Sequence, residues 1–285
     1  MGAAMAGVRV VTDSGCDLTD DMAAANAVTV VPLTIRFGDE ELVDRRDISP
    51  AEFWRRCRST AALPQTAAPS PGAFQSAYEQ AAADGADAVV CLTISSRVSA
   101  TYQSALAGAE ALGGQVPVRV IDTKSVTMGQ GLMCLAAAEA ATGGAGIDEV
   151  VALVESLIPR TRVYGVVGTL DHLQRGGRIG GAQALLGSLL SIKPVIQVSD
   201  GIVEQESKQR TRARALAYLT AKPRADAPLE RLAVANGAAS DIDAVVSSLR
   251  DIPVDHELVV AELGPVVGTH AGPETIGICY QVRAS

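Results

Sequence analysis

The side chain best placed to do chemistry in this 285-residue sequence is His270. It sits beside Thr269 in the run Gly264-Pro265-Val266-Val267-Gly268-Thr269-His270-Ala271-Gly272-Pro273. Glycines permit close backbone approach and prolines remove chain freedom, so the run reads as a rigid loop presenting one imidazole. That ring changes charge near neutral pH and can serve as acid, base or hydrogen-bond partner. It could equally be a histidine hydrogen-bonded within a tight turn.

Four further segments carry hydroxyls, carboxylates or arginines in turn-rich surroundings. Asp13-Ser14-Gly15-Cys16-Asp17-Leu18 follows the first strand signal, where Ser14 or Asp17 is expected to cap a helix. Cys16 has no histidine nearby in sequence to activate it. In Pro64-Gln65-Thr66-Ala67-Ala68-Pro69-Ser70-Pro71, Ser70 reads as a cap with proline at the first helical position. Thr66 has no such local role and is the ligand candidate of that loop. The run Ser95-Ser96-Arg97-Val98-Ser99-Ala100-Thr101 follows a strand and opens a helix, where free N–H groups and hydroxyls can hold a phosphate or carboxylate. Ser96 or Ser99 is expected to cap that helix. Finally, Arg175-Gly176-Gly177-Arg178-Ile179-Gly180-Gly181 precedes a helix with Ala182, Leu185, Leu186, Leu189 and Leu190 on one face.

Several chemistries are excluded. Gly129-Gln130-Gly131 lacks the third glycine of a dinucleotide fingerprint, and the Arg178 loop lacks the lysine of a phosphate loop, so no nucleotide cofactor is expected. His172, His256 and His270 have no metal-ligand spacing, so no metal is expected. Five scattered cysteines, odd in number and without a Cys-x-x-Cys pair, fit a reducing cytoplasm. The opening residues do not read as a signal peptide, and no apolar run approaches the roughly 20 residues that span a bilayer. A net charge of −8 argues against nucleic-acid binding.

The elements that must position these residues read as an α/β fold. Val8 to Thr12, Val28 to Ile35, Ala88 to Ile94 and Val118 to Ile121 are continuous apolar runs, as in parallel strands covered on both faces. Helical spacing links Phe74, Ala77, Tyr78 and Ala81, and again Ile147, Val150, Val151, Val154, Leu157 and Ile158, with Pro159 closing the second helix. After Pro159 the pattern changes. Val195 to Ser199, Asp200-Gly201 and Ile202 to Ser207 predict a hairpin with a type I′ turn. Leu232 to Ala235, a helix bearing Ile242, Val245, Val246 and Leu249, Leu258 to Leu263, and Ile278 to Val282 complete a mixed sheet. The expectation is two α/β domains, residues 1–160 with a mostly parallel sheet and residues 161–285 with a mixed sheet. Aromatics are only 3% of residues, so the interior is built from Ala, Val, Leu and Ile and leaves room for an apolar guest.

In this order, Asp-Ser-x-x-Asp-Leu, Thr-x-x-Pro-Ser-Pro, Ser-Ser-x-x-Ser-x-Thr-Tyr-Gln-Ser-Ala, Gly-Gly-Arg-Ile and Gly-Thr-His-x-Gly-Pro resemble the motifs of the DegV family of bacterial fatty-acid-binding proteins, from Asp13 to Pro273. The resemblance implies two α/β domains holding a palmitate-like or oleate-like fatty acid between them. Its carboxylate would be bound by hydroxyls and its tail held in an apolar tunnel. It further implies a carrier without catalysis of its own, which presents the acid to a separate ATP-dependent fatty acid kinase for acyl-phosphate formation and phospholipid synthesis. Contact with a membrane surface would be at most transient. By the same resemblance Thr66, Ser95, Ser96 and His270 are the ligand-binding residues, with Thr269 and Arg178 secondary and no catalytic residue. Ala67, Ala68, Val98 and Ala100 depart from the family pattern. The residues alone also leave open an α/β enzyme or a phosphotransfer protein that uses His270.

Overall fold

The computed structural model describes residues 7–59, 63–185 and 192–284. The first part of the chain runs β1 (Val8–Asp13), α1 (Asp20–Ala25), β2 (Val28–Val31), β3 (Thr34–Phe37), β4 (Glu40–Val43), α2 (Pro50–Ser59), β5 (Gln65–Ala67), α3 (Pro71–Ala83), β6 (Ala88–Thr93), α4 (Thr101–Ala111), β7 (Val118–Asp122), α5 (Thr127–Thr142) and α6 (Ile147–Leu157). The second part runs β8 (Thr161–Val166), α7 (Asp171–Arg175), β9 (Lys193–Ser199), β10 (Ile202–Gln209), α8 (Arg212–Ala225), β11 (Leu229–Gly237), α9 (Ile242–Leu249), β12 (Val259–Glu262), α10 (Pro265–Ala271) and β13 (Thr275–Val282).

Strands β2-β1-β6-β7 form a parallel sheet in that order. Alternate residues feed two cores: Val10, Val90 and Leu92 join the core with α5 and α6, while Val11, Val89 and Cys91 face Phe74, Tyr78 and Leu112. Every residue of β6 is buried. Strands covered on both faces need the continuous apolar runs read in the sequence.

The second sheet, β10-β9-β8-β13-β11-β12, is mixed, with only β11 and β12 parallel. Its hairpin turns at Asp200 (φ 44°) and Gly201 (φ 81°), the two positive angles a type I′ turn requires. One face of this sheet (Tyr164, Val166, Val234, Ile276, Tyr280) packs on α8 and α9 through Leu219, Val245 and Leu249. The other face (Val163, Ala233, Ala235, Cys279) joins Leu132 and Met133 of α5 in the core shared with the first sheet. Helix α5 is therefore buried on several sides. Its two glycines serve packing: a Cβ on Gly131 would lie 2.6 Å from the Cys16 carbonyl, and one on Gly129 would collide with Ser125 and Val163.

Several local expectations are corrected. The run 28–35 breaks at Pro32-Leu33 into β2 and β3, and β3 belongs to a separate three-stranded sheet, β4-β3-β5. Proline lacks the N–H that would continue a strand ladder. Thr66 lies in β5, paired with Ile35 across the ladder, and not in a free loop. The rigid loop around His270 is a helix, α10, with Gly264 as its N-cap, Pro265 at its first turn and Gly272 (φ 79°) ending it. Proline at the start and glycine just past the end is a helix signature. The expected helix after Arg178 is a 3-10 segment, Gly180–Leu185; Leu186, Leu189 and Leu190 lie outside the described residues. Asp17 (φ 54°) ends a 3-10 turn, Ser14–Cys16, whose start is capped by Asp13 and not Ser14; Thr19 caps α1, accepting from Met22 N–H at 3.1 Å. Ser70 does cap α3 through Ala73 N–H. At α4 it is Ser99, and not Ser96, that accepts an N–H of the first turn, from Thr101.

Candidate functional site

A cavity of about 820 Å³, mouth included, lies where the two parts of the chain meet. Its walls are apolar. Leu33, Ile94, Val98 and Val126 come from the first part, and Val163, Ile196, Val198, Val203, Leu263, Val266 and Val267 from the second. Gly165 and Gly277, cross-strand partners on β8 and β13, line the same cavity. With no side chains there, the sheet leaves open space beneath α10.

Three polar groups gather at one end. Thr66, Arg178 and His270 line the apolar cavity and also an adjoining polar recess with Gln65, His172 and Arg175. They therefore stand between the channel and its mouth. His270 Nε2 lies 3.0 Å from Thr66 Oγ1, joining residues 204 positions apart. Its Nδ1 is buried without a hydrogen-bond partner among the described residues. Burial, reinforced by the positive charge of Arg178 and by His172, pushes the ring down to a pKa of about 4, so the imidazole is neutral at physiological pH. Gly176 lies close to this ring, where any Cβ would collide with its Nδ1.

Arg178 donates from Nε to the Val98 carbonyl at 3.0 Å and from Nη1 to the Gly176 carbonyl at 2.6 Å. It forms no ion pair among the described residues, and its positive charge is felt by the imidazole. A hydroxyl, a neutral ring and an unpaired guanidinium at the end of an apolar channel suit a carboxylate with a long tail. Charge-assisted donors offset the desolvation of the head. Each buried methylene contributes about 0.8 kcal/mol, so the tail can supply most of the affinity through apolar walls.

The structure brings Thr269 to the polar recess beside His270, but not Ser95 or Ser96. Ser95 is fully buried, donating to the Gly201 carbonyl at 2.7 Å and accepting from Arg97 N–H at 3.2 Å. It ties the hairpin turn to the first part of the chain. Ser96 is exposed and hydrogen-bonds both Oγ and N–H to Asp122. Thr269 donates its hydroxyl back to the Pro265 carbonyl within α10 at 2.8 Å, although its carbonyl meets His172 Nδ1 at 3.2 Å. The cavity-lining hydroxyl of the serine loop is Ser99 instead. Thr127, with a buried hydroxyl and φ of 49°, also lines the wall and was not foreseen. Its position just beyond the carboxyl end of parallel strand β7 was the available signal.

The Asp-Ser-x-x-Asp motif wires this site together. Asp13 accepts from Ile94 N–H at 2.7 Å and from Gln130 Nε2 at 3.1 Å. Asp17 Oδ1 accepts from Gly264 N–H at 3.0 Å. Ser14 Oγ accepts from Leu33 N–H at 3.0 Å. Burial pushes the carboxyl of Asp13 up to about 6, of Asp17 to about 7 and of Asp44 to about 6. The Cys16 thiol is buried and pushed up to about 12, which removes it as a nucleophile. Among the described residues, no group of three or more His, Cys, Asp or Glu side chains is placed to hold a metal, and no helix is long and apolar enough to cross a membrane.

Comparison with known proteins agrees with this geometry. A family model described as "Uncharacterised protein, DegV family" matches residues 7–283. A DegV domain-containing protein of Streptomyces coelicolor is 38% identical over 280 residues, covering 97% of this chain and 99% of its own. The solved structure of a fatty-acid-binding DegV family protein from Thermus thermophilus superimposes with a TM-score of 0.87 at 35% identity, covering 97% of this chain and 100% of its own. A stearic-acid-binding protein from Eubacterium ventriosum gives 0.86 at 27% identity, covering 96% and 98%.

Proposed function

This chain belongs to the DegV family, and we propose that it binds a long-chain fatty acid and hands it to a separate enzyme. The carboxylate lies against Thr66, His270 and Arg178, and the tail occupies the apolar cavity. Residues 1–160 and 161–285 form two domains that share the ligand. The observation that carries this reading is the 3.0 Å Thr66–His270 pair, with the charge of Arg178 nearby, at the end of an apolar cavity. The similar proteins from Thermus thermophilus and Eubacterium ventriosum, which bind fatty acids, support it.

The bound acid is palmitate-like or oleate-like, no cofactor takes part, and the chain works in the cytoplasm as a carrier without catalysis of its own. Its partner is an ATP-dependent fatty acid kinase that converts the presented carboxylate to an acyl phosphate for phospholipid synthesis. A carboxylate head held at the mouth, beside Arg175 and Arg178, is placed for such a transfer. The competing reading, His270 as an acid/base or a phosphoryl carrier, is less well supported. A ring pushed down to about 4 has no acidic proton to give at pH 7 and is a weak base, and its Nε2 is engaged by Thr66.

Extraction of the purified protein followed by mass spectrometry tests the binding. Fatty acid at near-stoichiometric yield supports it; none recovered, with no binding of added palmitate or oleate, refutes it. Incubation of the loaded protein with the kinase and ATP, trapping acyl phosphate with hydroxylamine, tests the transfer. Phosphate found on His270 instead would favour the phosphotransfer reading.

A further inference from the structure

Helix α10 carries His270 but is only seven residues long, too short to hold its own shape in water. Its ends must be held from outside. At the far end the hold is the Thr66–His270 pair itself. At the start, Gly264 has no side chain with which to cap the helix, and its N–H is taken instead by Asp17 Oδ1 at 3.0 Å, from 247 residues away in sequence. The neighbouring Leu263 carbonyl accepts from Trp54 Nε1 at 3.0 Å.

Asp17 is built for this contact. It is buried, and it adopts φ of 54°, a left-handed conformation that asparagine and aspartate tolerate better than other non-glycine residues. A Cβ at residue 264 would lie 2.7 Å from its Oδ1, so the approach depends on glycine there. A carboxylate at a helix start is also favoured by the helix dipole. From Gly264 to His270 is roughly 9 Å along the axis at 1.5 Å per residue, so a tilt at the start moves the imidazole.

We propose that Asp17 is a positioning residue for the fatty-acid site, fixing the start of α10 so that His270 Nε2 meets Thr66 and the bound carboxylate. The inference rests on the fatty-acid reading given above. Asp17 acts through His270 and does not touch the ligand head itself.

The test compares oleate affinity of the full chain and its variants. Asp17→Gly keeps the left-handed backbone without strain and removes the carboxylate; at least a tenfold loss is expected. Asp17→Asn keeps an oxygen facing Gly264 N–H and should restore affinity to within threefold of the parent. Gly264→Ala leaves the charge and pushes the two groups apart, and should reproduce the tenfold loss even where Asp17→Gly does not fold. Because Asp17 works through the imidazole, adding Asp17→Gly to His270→Ala should cost less than a further threefold. A merely structural residue would instead cost the same in both backgrounds. Parent-like affinity in folded Asp17→Gly or in Gly264→Ala, a tenfold loss in Asp17→Asn, or additivity with His270→Ala overturns the proposal. If His270→Ala alone binds oleate as well as the parent, it is the placement of the carboxylate at His270 that fails.

Discussion

Replacing Thr66 by valine isolates the polar end of the cavity. Valine keeps the β-branched shape that suits strand β5, so the ladder pairing Ile35 with Thr66 persists. What disappears is one hydroxyl, 3.0 Å from His270 Nε2. A hydrogen bond to a charged acceptor contributes about 1.5–3 kcal/mol, and 1.4 kcal/mol is tenfold in affinity, so oleate should bind roughly 10- to 100-fold more weakly. The ligand-free protein also loses the Thr66–His270 contact, worth about 1 kcal/mol, which for a chain of this size lowers Tm by roughly 2–4 °C. Isothermal titration of delipidated protein with oleate, alongside a thermal melt, reads both. A folded Thr66→Val variant that binds oleate within twofold of the parent refutes the placement of the carboxylate at this hydroxyl.

Four further outcomes follow from the same geometry. Arg178→Met removes the nearby positive charge; it should weaken oleate binding severalfold and raise the His270 pKa, measured by NMR titration, and an unmoved pKa contradicts the electrostatic account. Ser96→Ala should leave affinity within twofold, because Ser96 bonds Asp122 and does not line the cavity; a tenfold loss would return it to the site. Gly165→Val places its Cβ in ordinary contact with Ile196, 3.6 Å away, and its methyls where the tail would lie; binding of an eighteen-carbon acid should fall more than that of a fourteen-carbon one, and equal effects would remove this wall from the tail path. Asp17 titrates near 7 when folded, above its ordinary carboxyl value, so the folded state holds the proton more tightly and stability declines as pH rises from about 4 to 7. His270, held below its ordinary value, has the opposite sign: its contribution is lost as pH falls from about 6.5 to 4. Thermal melts of Asp17→Asn should therefore show its greatest stability relative to the parent at pH 8 and little difference at pH 4; a constant difference across that range contradicts the burial argument.

The sheets were legible because burial on both faces forces continuous apolar runs, as in Ala88–Thr93, and because Asp200-Gly201 can hardly be anything but a tight hairpin turn. Thr66, His270 and Arg178 stood out through the family motifs, and the fold brings all three to one end of the cavity. The serine motif was less legible. Hydroxyls at a helix start look alike in sequence, and only the packing shows that Ser95 reaches Gly201, Ser96 reaches Asp122 and Ser99 faces the cavity. Gly264 to Gly272 read as a loop because seven residues give too few turns to display helical periodicity, although Pro265 and Gly272 already marked its ends. The roles of Asp13 and Asp17 depend on partners 81 and 247 residues away, beyond the reach of any local pattern.

The central claim is that one fatty acid carboxylate sits against His270 and Thr66. Titrating delipidated protein with oleate carrying carbon-13 in its carboxyl group tests it most directly. The account predicts a single saturable resonance at one equivalent, ionised at pH 7, whose shift changes in His270→Ala and Thr66→Val. No saturable resonance, or one indifferent to both substitutions, would contradict it.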